Sequence, residues 1–208
     1  MVLPRTYPRD VTTRRPGIHR RASPCPTYPA AVSEQLARSG LVVVVPESEP
    51  VVGRWRDDLD DNAGRGAPAH VTVLFPFVPT HRLDGAVLHR VRRVLAGATP
   101  FPYRFGGTGW FGDDVVWLAP DDPRPFSDLT ARVHAEFPEH PPFEEAFGDA
   151  VVPHLTVGHR RPREVLAAAE RAVRAAPPVT GTAREVVLLA QDAPGGRWSP
   201  RAAFALGG

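Results

Sequence analysis

The sequence predicts an α+β protein of two related lobes, antiparallel sheets with flanking helices, and a cleft on a pseudo-two-fold axis. Three observations carry this prediction. The apolar pattern runs strand, helix, strand, helix and then extended chain, and it does so twice. A four-residue pattern, His-x-Thr-aliphatic, stands on the corresponding strand of each half, at His70-Val71-Thr72-Val73 and at His154-Leu155-Thr156-Val157. The length of 208 residues, with 42% apolar and 23% charged side chains, suits a core of ordinary size and excludes a large multidomain assembly.

Residues 1–38 carry Pro4, Pro8, Pro16, Pro24, Pro26 and Pro29 among scattered arginines, with no apolar period that could repay the entropy of ordering. A disordered extension is expected there, ahead of a bilobal domain over residues 39–208. The first 40 residues hold a net charge of +5 against a total of +2, so the rest of the chain is at −3. A basic surface over the whole domain is therefore not expected, although a local groove for a short oligonucleotide is compatible with it. The extension reads either as a basic tail that helps hold RNA or as an inert leader.

Leu41 to Val45 is an aliphatic strand stopped by Pro46, and Ser48 with Pro50 opens a helix that runs to about Leu59. His70 to Phe75 is a second strand. Leu83, Val87, Val91, Val94 and Leu95 recur at helical spacing, with Arg90, Arg92 and Arg93 opposite. Gly-punctuated extended chain follows from Phe101 to Gly112. The second cycle has strands at Val115 to Leu118 and Val151 to Val157, alternating with helices at Phe126 to Phe137 and Val165 to Val173. Glu185 to Ala190 and Arg201 to Leu206 close the chain as strands, and the lobes are expected to join near residues 110–114.

Some classes are excluded early. The longest aliphatic run, Leu41 to Val45, is too short to cross a bilayer, so no membrane association is expected. The single Cys25 rules out a disulfide framework or a cysteine-built metal centre and makes a reducing cytoplasm the expected compartment. The first residues also lack the apolar stretch of a secretory signal. All 25 basic residues are arginine, which points to GC-rich coding and a bacterial source. Nothing in the chain demands an oligomer, and a monomer is expected.

The repeated motif is the chemical centre. With 8 histidines and 12 threonines, chance supplies about 0.5 His-x-Thr triplets, and about 0.1 once both flanking sites must be apolar. Two occur, in matching contexts. Residues i and i+2 of a strand share a face, so each His and Thr can point into one space while Val71, Val73, Leu155 and Val157 bury. Two imidazoles that titrate near neutral pH and two hydroxyls that donate to anionic oxygens equip such a cleft for displacement at phosphorus.

These motifs resemble those of the two-histidine phosphoesterase superfamily, in particular its 2′-5′ RNA ligase and cyclic phosphodiesterase branch, over about residues 41–206. The resemblance implies a bilobal α+β fold and an enzyme that works without metal, ATP or other cofactor, commonly opening 2′,3′-cyclic phosphates to 2′-phosphates. By the same resemblance His70 and His154 are the catalytic acid and base, and Thr72 and Thr156 bind the phosphate. His154 is read as base and His70 as acid, with the reverse left open. Implied partners are an RNA end bearing a 2′,3′-cyclic phosphate or a small cyclic nucleotide, and an RNA-processing role follows. The position five after the second motif histidine, often Arg or Tyr in relatives, is His159, read here as a substrate contact or as a strand end at the surface. A non-catalytic RNA-end or nucleotide-binding module, and reversible 2′-5′ ligation, are the competing readings.

Phe77, Tyr103, Trp110 and Trp117 are candidate platforms for a stacked base, with core packing as the alternative; Phe77, close behind the first motif, is kept as substrate-binding and Trp117 is assigned to the core. Gly107-x-Gly109-x-x-Gly112 matches a dinucleotide fingerprint but leads into a strand, so it reads as a turn between lobes. Asp57, Asp58, Asp60, Asp61 and Asn62 imitate a calcium loop whose last ligand position is Ala69, and a solvated acidic loop is expected. His70, His154 and His159 make a poor zinc set, since threonine accompanies each motif histidine and no acidic ligand stands nearby. His19, His81, His89, His134 and His140 are expected to be solvated.

Overall fold

A computed structural model describes residues 36–142 and 151–207. Apart from its last three residues, the expected N-terminal extension lies outside these, as does Cys25. Among the described residues eight strands form two four-stranded antiparallel sheets. The first sheet has the order β2-β1-β7-β8, built from β1 (Ser39–Val44), β2 (His70–Leu74), β7 (Glu185–Gln191) and β8 (Trp198–Ala205). The second has the order β5-β4-β3-β6, from β3 (Phe101–Phe111), β4 (Val115–Pro120), β5 (Leu155–His159) and β6 (Val179–Ala183). The helices are α1 (Glu49–Leu59), the single turn α2 (Asp61–Gly64), α3 (Gly85–Ala96), α4 (Arg124–Glu136) and α5 (Arg163–Ala175). Among the described residues no helix is long and apolar enough to cross a membrane.

Local chemistry accounts for the ends of these elements. Pro50 lies in the first turn of α1 and Pro125 in that of α4, where a missing N–H costs nothing. The Asp84 carboxylate accepts from the Val87 N–H and caps α3, and the Asp60 carboxylate accepts from the Asn62 N–H to start α2 directly where α1 ends. Arg160 takes φ of 52°, in the left-handed region that costs a β-carbon-bearing residue about 1 kcal/mol. Its N–H is held by the Asp114 carbonyl.

The two motif strands share an irregularity. On β2, Thr72 pairs with Val42 and Leu74 with the adjacent Leu41, so Val73 is an extra residue. On β5, Thr156 pairs with Trp117 and Gly158 with the adjacent Val116, so Val157 is the extra residue. Each motif therefore carries a β-bulge three residues after its histidine. The bulge breaks the alternation: Val73 and Leu74 both bury, as do Val157 and Gly158, and the face shared by His and Thr re-emerges at Phe75 and His159.

The halves interlock. β2 and β5 are edge strands of their sheets and contact one another, while α1, from the first half, packs on β5, and α4, from the second half, packs on β2. The fit is close, because a β-carbon on Gly158 would stand 2.7 Å from the Leu59 Cβ. One hydrophobic core runs through both sheets, from Leu41, Val71 and Leu188 to Phe105, Leu155 and Leu166.

The expected elements occur, with shifted ends. The second motif strand begins at Leu155 instead of Val151, which places His154 just ahead of it, and β6 has no counterpart in the expected pattern. The expected lobe junction at residues 110–114 is a correction: Gly112 and its neighbours form the hairpin turn between β3 and β4, inside one sheet. The chain passes from one sheet to the other near residues 97–100 and returns at Arg184.

Candidate active site

His70 and His154 are held by the same device. The Nδ1 of His70 lies 2.7 Å from the Pro68 carbonyl oxygen, and the Nδ1 of His154 lies 2.8 Å from that of Val152, in each case two residues back along the chain. A carbonyl can only accept, so both Nδ1 atoms carry the proton and both Nε2 atoms are the free, basic nitrogens of the neutral rings. Cross-strand neighbours of His70 and Thr72 are Val44 and Val42, an apolar floor on the same face. Thr72 and Thr156 are half-buried, and among the described residues neither hydroxyl has a hydrogen-bond partner.

The two rings differ in their surroundings. Burial lowers the pKa of His70; the hydrogen bond to Pro68 opposes this, the positive charge of Arg56 adds to it, Asp60 opposes, and His154 lowers it further, to about 4. Burial also lowers that of His154, against the hydrogen bond to Val152. Aromatic rings stand beside His154, with Phe111 edge-on at 4.8 Å between centroids and Trp117 at 5.9 Å. Trp117 lies over Gly109, where any β-carbon would strike the indole.

Behind His70, the C-terminal end of α1 contributes a buried charge cluster. Arg56 is 3% exposed and Asp60 4%. The Arg56 guanidinium donates to the Asp60 carboxylate at 2.9 Å and to the Ala67 carbonyl at 3.2 Å. His159 Nε2 lies 3.2 Å from the other Asp60 oxygen, without the alignment of a hydrogen bond. Burial pushes the Asp60 carboxyl up, but His159, Arg56 and the Asn62 N–H together outweigh it and hold it at about 2.

Of the residues singled out from sequence, His70, Thr72 and Thr156 lie on the two motif strands and His154 directly precedes the second. Phe77 is a correction: it is 3% exposed, edge-on to Phe137 at 4.9 Å and to His140 at 5.6 Å, so neither ring face is open to a base. His140 is correspondingly half-buried instead of solvated. His159, read as a substrate contact or a strand end, is the last residue of β5 and has its Nε2 beside Asp60. Trp117, expected in the core, is half-exposed at the edge of His154. Tyr103 is buried and donates to Glu47 at 2.6 Å, while Trp110 packs on the core under the Arg163 guanidinium at 5.0 Å. The supposed acidic loop is α1 running into α2, with Asp60 buried, and among the described residues no group of three His, Cys, Asp or Glu is placed to hold a metal ion. Arg56 and Phe111 carry no role in the sequence reading, and Asp60 enters it only as part of the acidic loop. For Arg56 a signal exists, since it lies four residues after Val52 and three before Leu59, on the stripe that buries.

Known structures share this architecture. A crystal structure of TT0787 of Thermus thermophilus superposes with a TM-score of 0.56 at 22% identity, covering 82% of this chain and 98% of that one. E. coli LigT complexed with 3′-AMP superposes at 0.54 and 20% identity, over 83% and 99% of the chains, and LigT complexed with NADP+ at 0.51 and 20%, over 83% and 98%. At these identities the likeness establishes the fold. None of the curated proteins matches the chain. The sequence pattern of one family matches residues 44–195, which include both motifs and all five helices, and by that match the chain belongs to the 2′-5′ RNA ligase superfamily.

Proposed function

We propose that the protein is a metal-independent phosphoesterase that opens a 2′,3′-cyclic phosphate, or cleaves a 2′-5′ phosphodiester, of RNA or a nucleotide. The observation that carries this reading is the duplicated anchoring of His70 and His154 through Nδ1. It leaves two free Nε2 atoms in one electrostatic neighbourhood, the arrangement that paired proton transfer requires. LigT has been crystallised with 3′-AMP and with NADP+, and a nucleotide phosphate is the ligand chemistry proposed here.

In the proposed reaction water attacks phosphorus from the side of His70, whose neutral Nε2 takes the proton. His154, protonated once the phosphate anion is bound beside it, donates to the departing O3′ oxygen; the P–O3′ bond breaks and a 2′-phosphate remains. The Thr72 and Thr156 hydroxyls donate to the non-bridging oxygens as charge builds there. His70 suits the base because Arg56 disfavours its charged form, whereas among the described residues no cation opposes protonation of His154. These roles are the reverse of those read from the sequence. Run backwards with a 5′-hydroxyl in place of water, the same pair would join RNA through a 2′-5′ bond. Phe111 and Trp117, beside His154, are placed to bound the adjacent sugar or base.

The test is turnover of the four nucleoside 2′,3′-cyclic phosphates, and of an RNA oligomer ending in one, in EDTA. Wild type is expected to release 2′-phosphates, and His70→Ala and His154→Ala each to lose roughly 10² to 10⁴ in turnover without loss of fold. Retained turnover in both single variants sinks the acid-base reading. Binding of these ligands without any turnover would instead support a phosphate-binding module.

A further inference from the structure

We infer that Arg56, Asp60 and His159 form a positioning network that ties the backbone clamp on His70 to the strand carrying the second motif. The inference rests on the phosphoesterase reading for what the network serves, and on geometry for its existence. Arg56 and Asp60 stand four residues apart at the end of α1, and both are buried. A buried ion pair is a poor device for stability alone, since well-packed apolar residues commonly do as well. Here its spare hydrogen-bonding capacity is directed. The Arg56 guanidinium holds the Ala67 carbonyl, and the next residue, Pro68, supplies the carbonyl that fixes the His70 ring. Glu49, at the other end of α1, accepts from the Ala69 N–H at 3.3 Å, so α1 holds the residues on either side of Pro68, Ala67 and Ala69.

The opposite side of the cluster reaches the second motif. Asp60 meets His159, the last residue of β5, and the adjoining Asp61 accepts from Arg161 at 2.6 Å. Two consecutive acidic residues thus hold two residues on either side of Arg160, which sits in the left-handed conformation. A shift of α1 moves the His70 clamp and the end of β5 together. The charged and titratable groups acting on His70 are Arg56 from α1, Asp60 directly after that helix and His154 just ahead of β5, with the Pro68 carbonyl as its hydrogen-bond partner. Arg56 and Asp60 act on it with opposite sign.

That opposition supplies a readout that a merely structural role would not move. In the full-length protein, the imidazole titrations of His70 and His154 are followed by NMR, beside kcat and KM on a nucleoside 2′,3′-cyclic phosphate. Asp60→Asn is expected to move the His70 titration further down and Arg56→Met to move it up. His159→Gln and Asp60→Asn are expected to lower kcat about ten- to a hundredfold with little change in KM, and Asp60→Glu to recover part of it. Arg56→Lys, which keeps the charge without the fork, is the second variant should Arg56→Met not fold; it is expected to lower kcat while leaving the titration near that of wild type. A His70 titration that stays put, or moves the same way in Asp60→Asn and Arg56→Met, overturns the inference. Absence of turnover in wild type would count against the phosphoesterase reading alone, because the titrations decide the coupling without it.

Discussion

Each motif histidine is fixed through one nitrogen and free at the other, and the cost of that arrangement is a half-buried imidazole that resists protonation. For His70 the consequence reaches stability. Its pKa is about 4 in the folded chain against 6.5 for the free side chain, so the unfolded state binds more protons between those values. Stability from this group is full above about pH 6.5 and is lost as pH falls towards 4. The expected loss is at most about 2 kcal/mol between pH 7 and pH 5, and His70→Gln should remove it. Urea midpoints at the two pH values for wild type and variant check this; an equal loss in both would show that His70 is not the group responsible. Asp60 acts in a separate window, since its carboxyl is held at about 2 against an ordinary 3.8, and its contribution is lost only as pH falls below about 4. At this scale the sequence was informative where a motif repeated and silent where a contact was tertiary. His-x-Thr could be counted, but Phe77 faced inward through its packing on Phe137, and Asp60 was buried because Arg56 four residues earlier happened to be buried with it.

The strands and helices were mostly legible because apolar period and proline placement are local. Where they were not, local chemistry was ambiguous. β6, Val-Thr-Gly-Thr-Ala, holds a glycine that serves β3, since Tyr103 lies against Gly181, and no apolar alternation marks it as a strand. The Gly112-Asp113-Asp114 turn has the composition of a linker, yet it closes a hairpin. The bulges at Val73 and Val157 left no signature at all, although they decide that the fifth position after each histidine returns to the face shared by His and Thr. Packing between elements is equally invisible in the sequence and is testable at Gly158. Placing Ala there sets a methyl 2.7 Å from the Leu59 Cβ and 3.0 Å from a Leu166 methyl. Gly158→Ala should cost about 1 to 3 kcal/mol by forcing α1 away from β5. Denaturant midpoints would measure it, and a neutral result would mean that α1 is free to shift without strain.

Two lobes suggest two folding units, but the connectivity argues for one. The first sheet takes β1 and β2 from the start of the domain and β7 and β8 from its end, with the whole second sheet threaded between them. The helix that follows β1 covers β5, the helix that follows β4 covers β2, and a single apolar core passes through both sheets. Neither sheet can bury its inner face without an element from the other half, so neither should persist alone. This exchange also explains how two distant motifs stay in register, because each motif strand is backed by a helix from the opposite half of the chain. The expectation is one cooperative unfolding transition. Trp110 on β3 reports on the second sheet and Trp198 on β8 on the first, and each can be left as the only tryptophan by replacing the other three with phenylalanine. Each variant, unfolded in urea and followed by fluorescence and by far-ultraviolet circular dichroism, should give one midpoint and one slope for both probes, since the dichroism reports both sheets together. A fluorescence midpoint that departs from the dichroism midpoint, early for one tryptophan and late for the other, would show that the sheets melt separately and that the helix exchange does not couple them.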